Sequence, residues 1–296
     1  MKIKIGTRGS KLAIIQTNMV IDSIKHHFPG IECVVTPIVT TGDKITDKNL
    51  YDIGGKALFL KELEEHLLDQ KIDIAVHSFK DVPGILSDDL SIAAVLERGD
   101  SRDCFISLKY KSIEELPKNA TVGTSSVRRK VLLHAKRPDL NIVPFRGNIN
   151  TRLAKLQRDE VDATILANVG LIRANLFDDS YCYPLDVNEM LPAAGQGIIG
   201  IEIRKNDKKM KEICDKINHI PTWHLSLAER SFLSYLDATC DTPISAFASF
   251  NKEGKIEARY MLSDFDGHDV RYHKEVGDIR LASNMGIAAA KKIKYP

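Results

Sequence analysis

Short apolar runs of strand length alternate along most of this chain with longer amphipathic stretches. Residues 2–7 read as a buried strand, and Ser10 is placed to cap a helix from Lys11 to about His27. A second strand is expected over Glu32–Val39. Residues 40–57 are rich in Thr, Asp, Lys and Gly and contain Gly54-Gly55, so they read as a mobile loop. A helix over Leu58–Asp69 and a buried strand over Ile72–His77 come next. This alternation predicts βαβ units and a mainly parallel sheet.

The same grammar then recurs. Val122-Gly-Thr-Ser-Ser126 followed by a basic helix echoes Ile5-Gly-Thr-Arg-Gly-Ser10 followed by a helix. Val161-Asp-Ala-Thr-Ile-Leu166 echoes Ile72-Asp-Ile-Ala-Val-His77. Thr7 to Asp73 spans 66 positions and Thr124 to Asp162 spans 38, a difference that the loop at 40–57 partly accounts for. We expect two α/β domains of similar build facing each other, with ligands in the cleft at the strand C-termini. After about residue 218 the pattern changes. A helical run Leu225–Leu236 precedes alternating segments Pro243–Asn251, Lys255–Asp264 and Val270–Val276, with hairpin turns at Asn251–Gly254 and Asp264–Gly267. A helix from about Ile279 to Lys292 closes this part, which reads as a small α+β domain with an antiparallel sheet.

Composition narrows the class without choosing a partner. The 296 residues carry 42 Lys and Arg against 40 Asp and Glu, so the near-neutral balance requires neither nucleic acid nor a membrane. Any basic site must come from local clustering. Cys33, Cys104, Cys182, Cys214 and Cys240 are odd in number and never in C-x-x-C spacing, which argues against a disulfide framework and a structural zinc site; no metal is expected. The opening Met-Lys-Ile-Lys-Ile-Gly has no apolar signal core and no run approaches membrane-spanning length, so the expected location is the cytoplasm.

Local clustering is found at the strand ends. Arg8 follows the first strand. Arg128 and Arg129 open a helix, Arg146 ends the strand Asn141–Phe145, Arg152 begins the next helix, and Arg173 follows the strand ending near Ala167. Ser10, Thr124, Ser125 and Ser126 add hydroxyls. Any one of these arginines alone reads as a solvated surface charge. Six at similar topological positions read as a cleft for a ligand with several carboxylates or phosphates. Phosphate would call for a glycine-rich cradle, and Gly54-Gly55-Lys56 lacks the flanking residues of a P-loop. Lys80 and Asp81 fall at the end of a buried strand in the same cleft. They read either as a loop ion pair or as a carboxylate placed where positive charge develops, with Lys80 meeting anionic groups. His77 reads as packed or hydrogen-bonded rather than catalytic. Cys240 sits between the helical run and Pro243, on a loop where a reactant could reach it; a lone Cys is more commonly a small buried hydrophobe.

These motifs resemble one family. Thr7-Arg-Gly-Ser-Lys-Leu-Ala13, Gly54-Gly-Lys-Ala-Leu-Phe59, His77-Ser-Phe-Lys-Asp-Val-Pro83, Val122-Gly-Thr-Ser-Ser-Val-Arg-Arg129, Arg146-Gly-Asn148 with Thr151-Arg-Leu153, and Leu191-Pro-Ala-Ala-Gly-Gln-Gly197 are similar to the blocks of the hydroxymethylbilane synthases, or porphobilinogen deaminases, in the family's order. Chance does not produce six such blocks in sequence. The resemblance implies two periplasmic-binding-protein-like (type II) α/β domains, over 1–97 with 198–217 and over 98–197, and an α+β third domain over 218–296. It implies a dipyrromethane cofactor, built by the apoenzyme and held through a thioether to Cys240. Four porphobilinogen molecules would be deaminated and joined head to tail, and linear hydroxymethylbilane released, in haem biosynthesis. By the match, Asp81 stabilises charge and moves protons. Arg8, Ser10, Lys80, Thr124, Ser125, Ser126, Arg128, Arg129, Arg146, Gly147, Arg152 and Arg173 hold carboxylates of cofactor and substrate. Lys56 and Phe59 would cover the site, and Gln196 would mark the crossing back to the first domain. A monomer with no obligatory protein partner is implied. One departure stands out: family members carry small residues, most often Gly-Gly, before the cysteine, and here they are Ala238-Thr239. A glycine at positive φ would be costly to replace, above all by β-branched Thr. The alternative reading, from fold alone, is a two-lobed carboxylate-binding or ligand-sensing protein, which would need neither Cys240 nor Asp81.

Overall fold

A computed structural model describes residues 1–44, 60–239 and 241–294; Lys56, Phe59, the Gly54-Gly55 pair and Cys240 lie outside the described residues. The chain opens with β1 (Lys2–Arg8), α1 (Lys11–His27), β2 (Glu32–Ile38) and a single helical turn α2 (Thr41–Lys44). It resumes with α3 (Lys61–Leu68), β3 (Ile74–Ser78), a 3-10 turn over Phe79–Asp81 and β4 (Leu90–Val95). The second lobe runs β5 (Asp103–Ile106), β6 (Thr121–Gly123), α4 (Val127–Lys136), β7 (Asn141–Val143), α5 (Ile149–Gln157), β8 (Ala163–Ala167), α6 (Asn168–Arg173) and β9 (Cys182–Pro184). The chain then returns through β10 (Ile199–Arg204) and α7 (Lys208–Ile217).

The two sheets have the same plan. Their orders are β2-β1-β3-β10-β4 and β7-β6-β8-β5-β9. Four strands of each run one way. The fifth, β10 or β5, is antiparallel to both neighbours and is the strand that arrives from the other lobe. The repeat extends to single hydrogen bonds. Asp73 Oδ2 accepts from the Lys4 amide at 2.8 Å, and Asp162 Oδ2 accepts from the Thr121 amide at 2.8 Å. Helix starts are fixed locally: the Ser10 hydroxyl accepts from the Ala13 amide, as the sequence predicts, and the Ser126 hydroxyl caps α4 in the same way by accepting from the Arg129 amide. Each sheet packs against two apolar clusters, one with Ile3, Ile5, Val20 and Ile201 and one with Leu63, Leu67 and Ala75 in the first lobe, and one with Phe105, Val122, Leu133 and Ile165 and one with Ile106, Leu153 and Leu166 in the second.

Two crossover segments join the lobes side by side. The Gly99 amide donates to the Gly197 carbonyl at 3.0 Å, and Arg98 Nε donates to the Gln196 carbonyl at 2.9 Å. Gly197 has φ +89°, and a Cβ there would lie 2.6 Å from the Gly99 carbonyl oxygen, so the two strands touch only because no side chain intervenes.

The third domain is α8 (Ile220–Tyr235), β11 (Ile244–Phe250), β12 (Ile256–Ser263), β13 (Val270–Gly277) and α9 (Ala282–Ile293), with the strands in simple antiparallel order. Helix α8 begins five residues before Leu225, capped by His219 with Pro221 in its first turn. Phe232, Tyr260, Ala289 and Ile293 are among the side chains in its core. The domain is pinned to the crossovers by buried Glu229 on α8. Its carboxylate accepts from Arg98 Nη1 at 2.6 Å and from the Gly195 and Ala248 amides at 2.7 and 2.8 Å.

Candidate active site

Strand C-terminal ends of the first lobe converge on a pocket lined by Arg8, Ser10, Gln16, His77, Ser78, Lys80 and Asp81, among others. Strand β3 delivers His77 and Ser78, and the 3-10 turn then swings Lys80 and Asp81 to the rim while its Phe79 is buried. Ser78 Oγ donates to Gln16 Oε1 at 2.9 Å, tying β3 to α1 beside the pocket. Arg230 of α8 stacks over Phe79, its Cζ 4.7 Å from the ring centre, and donates to the Val82 and Pro83 carbonyls, so the third domain braces this turn.

The second lobe presents its arginines through a device with no signature in the sequence. Asp103, fully buried at the start of β5, accepts from Arg128 Nη2 at 2.8 Å, Arg129 Nη2 at 2.7 Å and Gln196 Nε2 at 2.9 Å. Arg128 also donates to the Leu191 carbonyl and Arg129 to the Ile165 carbonyl. Burial alone would raise the Asp103 pKa. The two guanidiniums and the Gln196 bond override it and hold the carboxyl well below the usual carboxylate range. One carboxylate facing two guanidiniums leaves this buried cluster with an excess of positive charge. Gln196, expected at the return crossing, is there, and it hydrogen-bonds the acid that positions both arginines.

Other expected residues fall around this cluster. Thr124 is buried and its hydroxyl accepts from the Ser126 amide; Ser125 Oγ accepts from the Phe145 amide at 2.9 Å, closing the ends of β6 and β7 together. Arg146 and Arg152 are both half-buried. Arg152 is the fourth residue of α5 and closes its first turn, and its Nε donates to the Gly147 carbonyl at 2.8 Å. Gly147 has φ +114°, and a Cβ would collide with Thr151 at 2.7 Å, so this turn requires glycine. Arg173 ends α6, one and a half turns beyond β8, and its Nη2 donates to the Gly197 carbonyl at 2.8 Å, on the crossover. Among the described residues no group of three or more His, Cys, Asp or Glu could hold a metal ion, and no helix is long and apolar enough to cross a membrane.

The electrostatics join the parts into one site. Burial pushes Lys80 down to about 8; Asp81 opposes this and Arg129, from the other lobe, reinforces it. Burial also pushes Arg152 down to about 10, with Arg129 and Arg146 adding to the effect. Burial raises the Asp241 carboxyl against the opposing pull of Arg146. A row of mutually repelling cations therefore runs from Lys80 through Arg129, Arg152 and Arg146 to the turn that contains residues 239 and 241.

That turn is tightly built. Helix α8 ends in a Schellman motif: Asp237 takes φ +46°, the Asp237 amide donates to the Ser234 carbonyl and the Ala238 amide to the Leu233 carbonyl. The Thr239 amide then donates to Thr242 Oγ1 at 3.0 Å, and the Thr242 amide to the Thr239 carbonyl at 3.1 Å. The left-handed residue is Asp237, not Ala238 or Thr239. The departure from Gly-Gly thus places no β-branched residue at positive φ.

Comparison with known proteins agrees with these features. The chain matches the family model described as porphobilinogen deaminase, dipyromethane cofactor binding domain, over residues 3–212, and that described as porphobilinogen deaminase, C-terminal domain, over residues 223–295. Proteins named porphobilinogen deaminase are similar over 98% of this chain and 96% of their own length. The one from Rickettsia bellii (strain OSU 85-389) is 56% identical, that from Rickettsia canadensis (strain McKiel) 54%, and that from Rickettsia akari (strain Hartford) 53%.

Proposed function

The chain belongs to the porphobilinogen deaminase family, transferases of tetrapyrrole synthesis, and from that premise we propose the activity in detail: four porphobilinogen molecules are deaminated and joined head to tail on a dipyrromethane held through a thioether to Cys240, and linear hydroxymethylbilane and ammonia are released. The observation that carries this reading is the cation row from Lys80 to Arg146. It is half-buried to buried, is in excess over the acids among the described residues around it, and ends at the turn that contains Thr239 and Asp241.

A dipyrromethane bears acetate and propionate groups, and the residues fit it. Lys80 and Arg152 are depressed by burial and by one another's neighbours, and an anion between the lobes would relieve both. Arg8, Ser10, Lys80, Ser126, Arg129, Arg146 and Arg152 would hold the carboxylates of cofactor and substrate, with Thr124, Ser125 and Gly147 shaping the turns beside them. Arg128 and Arg173, whose described bonds go to Asp103 and to the Leu191 and Gly197 carbonyls, would contribute charge from behind. When bound, the group supplies a free pyrrole α-carbon onto which units are added.

The protein's own residues do the rest. Asp81, on the lobe-one rim, offers a carboxylate where pyrrole nitrogens become cationic, stabilising charge and moving protons. Asp103 keeps Arg128 and Arg129 oriented so that they need no reorganisation when a carboxylate arrives. Lys56 and Phe59 would cover the cleft. The sheet topology supports domains over 1–97 with 198–217, over 98–197 and over 218–296. A monomer located in the cytoplasm completes the reading. The competing carboxylate-binding reading leaves Asp81 and Cys240 without a task.

Intact mass of the purified protein, with a Cys240→Ser control, tests the proposal. A gain equal to two linked pyrrole units, absent from the control, is the expected result. An unmodified mass that persists after incubation with porphobilinogen overturns it.

A further inference from the structure

His77 is hydrogen-bonded, as its place in an apolar strand suggests, but its partner is unexpected. Nε2 lies 2.9 Å from Oε2 of Glu202 on β10, whose side chain is wholly buried. A carboxylate only accepts, so Nε2 carries the shared proton, and in the neutral ring Nδ1 keeps a lone pair. Nδ1 has no hydrogen-bond partner among the described residues, and His77 is among the residues that line the same pocket as Lys80 and Asp81. Glu202 Oε1 is buried with no hydrogen-bond partner among the described residues, which concentrates the carboxylate's interaction on the imidazole. Structural burial of Glu202 alone would favour a neutral residue at this depth.

Other charges close the group in. Glu64 of α3 interacts with both Glu202 and His77, and its carboxyl is raised by burial and by Glu202. Arg230 of α8 attracts Glu202 from the third-domain side. Arg8, Lys80 and Asp81 line the same pocket as His77.

We propose that His77, oriented by Glu202, is a positioning residue that stores the proton moved by Asp81 between the two halves of each addition. This inference rests on the deaminase reading. Joining one porphobilinogen breaks a C–N bond, whose electron pair leaves with nitrogen as ammonia. It forms one C–C bond and breaks one ring C–H bond, whose electron pair stays in the ring. The proton freed at carbon balances the ammonia as ammonium. The two events are separated in time, so the carboxylate that collects the proton must shed it before the next addition. Transfer from the Asp81 carboxyl to Nδ1 breaks O–H, forms N–H and restores the carboxylate, while Glu202 stabilises the imidazolium that results; the imidazolium then gives that proton back through Asp81 to the amine nitrogen of the next porphobilinogen, so Nδ1 is free again before the next proton arrives.

The first test reads the pair without turnover. In protein labelled with 15N-histidine, with His77 assigned from His77→Asn, the titration midpoint of His77 should fall by about one pH unit or more in Glu202→Gln, since a neutral amide no longer stabilises the charged ring. An unchanged midpoint overturns the proposal. The second test is kinetic. His77→Asn should lower kcat by about 10²-fold, leave KM within about threefold and flatten the acid side of the pH profile; His77→Gln guards against a folding defect in the first variant, with melting temperature as the check. Unaltered kcat and an unaltered acid side in a folded variant overturn it. If the unmutated protein does not consume porphobilinogen, the deaminase reading fails instead, and the titration still decides whether Glu202 tunes His77.

Discussion

Asp73 and Asp162 close the same backbone hydrogen bond in the two α/β lobes, yet the segments downstream of them differ. Past Asp73, β3 leads to His77 and then to a 3-10 turn bearing Lys80 and Asp81. Past Asp162, β8 leads to a short helix whose one cation, Arg173, is turned to the crossover. At the opposite corner the contrast reverses. Helix α1 opens with Ser10 and Lys11, whereas α4 opens with Ser126 and two buried guanidiniums neutralised in part by Asp103. One scaffold therefore carries two kinds of chemistry. The first lobe places a half-buried acid and a tunable amine at the pocket, and the second supplies fixed positive charge. A duplicated fold keeps the bonds that hold strands in register and varies the residues at strand ends.

That division can be broken from either side. Asp81→Ala should reduce turnover by about 10²- to 10⁴-fold while the melting curve stays in place; near-normal activity in that variant would sink the assignment of chemistry to the first lobe. Asp103→Asn should be mainly a folding lesion of the second lobe. It leaves two buried guanidiniums sharing a neutral amide, at a cost of about 3–5 kcal/mol measured by urea unfolding. A loss below about 1 kcal/mol would mean that the arginines find other counter-charges.

Lys80 gives a pH signature. Without ligand it keeps its proton up to about pH 8. A bound carboxylate favours the ammonium, so KM should be flat below pH 8 and rise above it, approaching tenfold per pH unit, and the bend should vanish in Lys80→Met. A bend that survives in Lys80→Met belongs to another group. The same depression acts on stability with a definite sign. Between about pH 8 and the ordinary lysine value the unfolded chain holds the proton that the folded chain has lost, so this group adds stability as pH rises through that window. The smallest effect sharpens the comparison. Asp73→Ala and Asp162→Ala should each cost about 1 kcal/mol, Asp73 somewhat more because Arg204 also faces it; a difference of several kcal/mol would show that the repeat is symmetric in shape only.

Much of this was legible in the sequence. The strand–turn–helix repeat, the Ser10 cap and the three antiparallel strands after residue 243 follow from local pattern, because each is decided within about ten residues. The arginines at strand ends were visible for the same reason. The reversed strands β5 and β10 were not, since direction in the sheet depends on where the chain crosses between lobes and leaves no trace in periodicity. Nor were Asp103, Glu202 and Glu229, whose burial is set by partners 25 to 125 positions away for the first two and 19 to 131 for the third. The first turn of α8 had a signal, Pro221 just inside a capping His219, that a reading from Leu225 passed over. The expected cost of Thr239 also dissolved in three dimensions. The left-handed position is one that Asp237 fills, and Asp belongs to the residues that tolerate it.

Strand β10 carries a consequence for the order in which the protein is made. It lies between β3 and β4, so the first sheet is two unconnected pieces until Ile199–Arg204 is inserted. The second sheet has all five strands once Pro184 has been synthesised. On the ribosome, the lobe translated second can therefore close before the lobe translated first. From the end of β4 at Val95 until residue 204 emerges, β3 and β4 each expose an unpaired edge that would template aggregation if the wait were long.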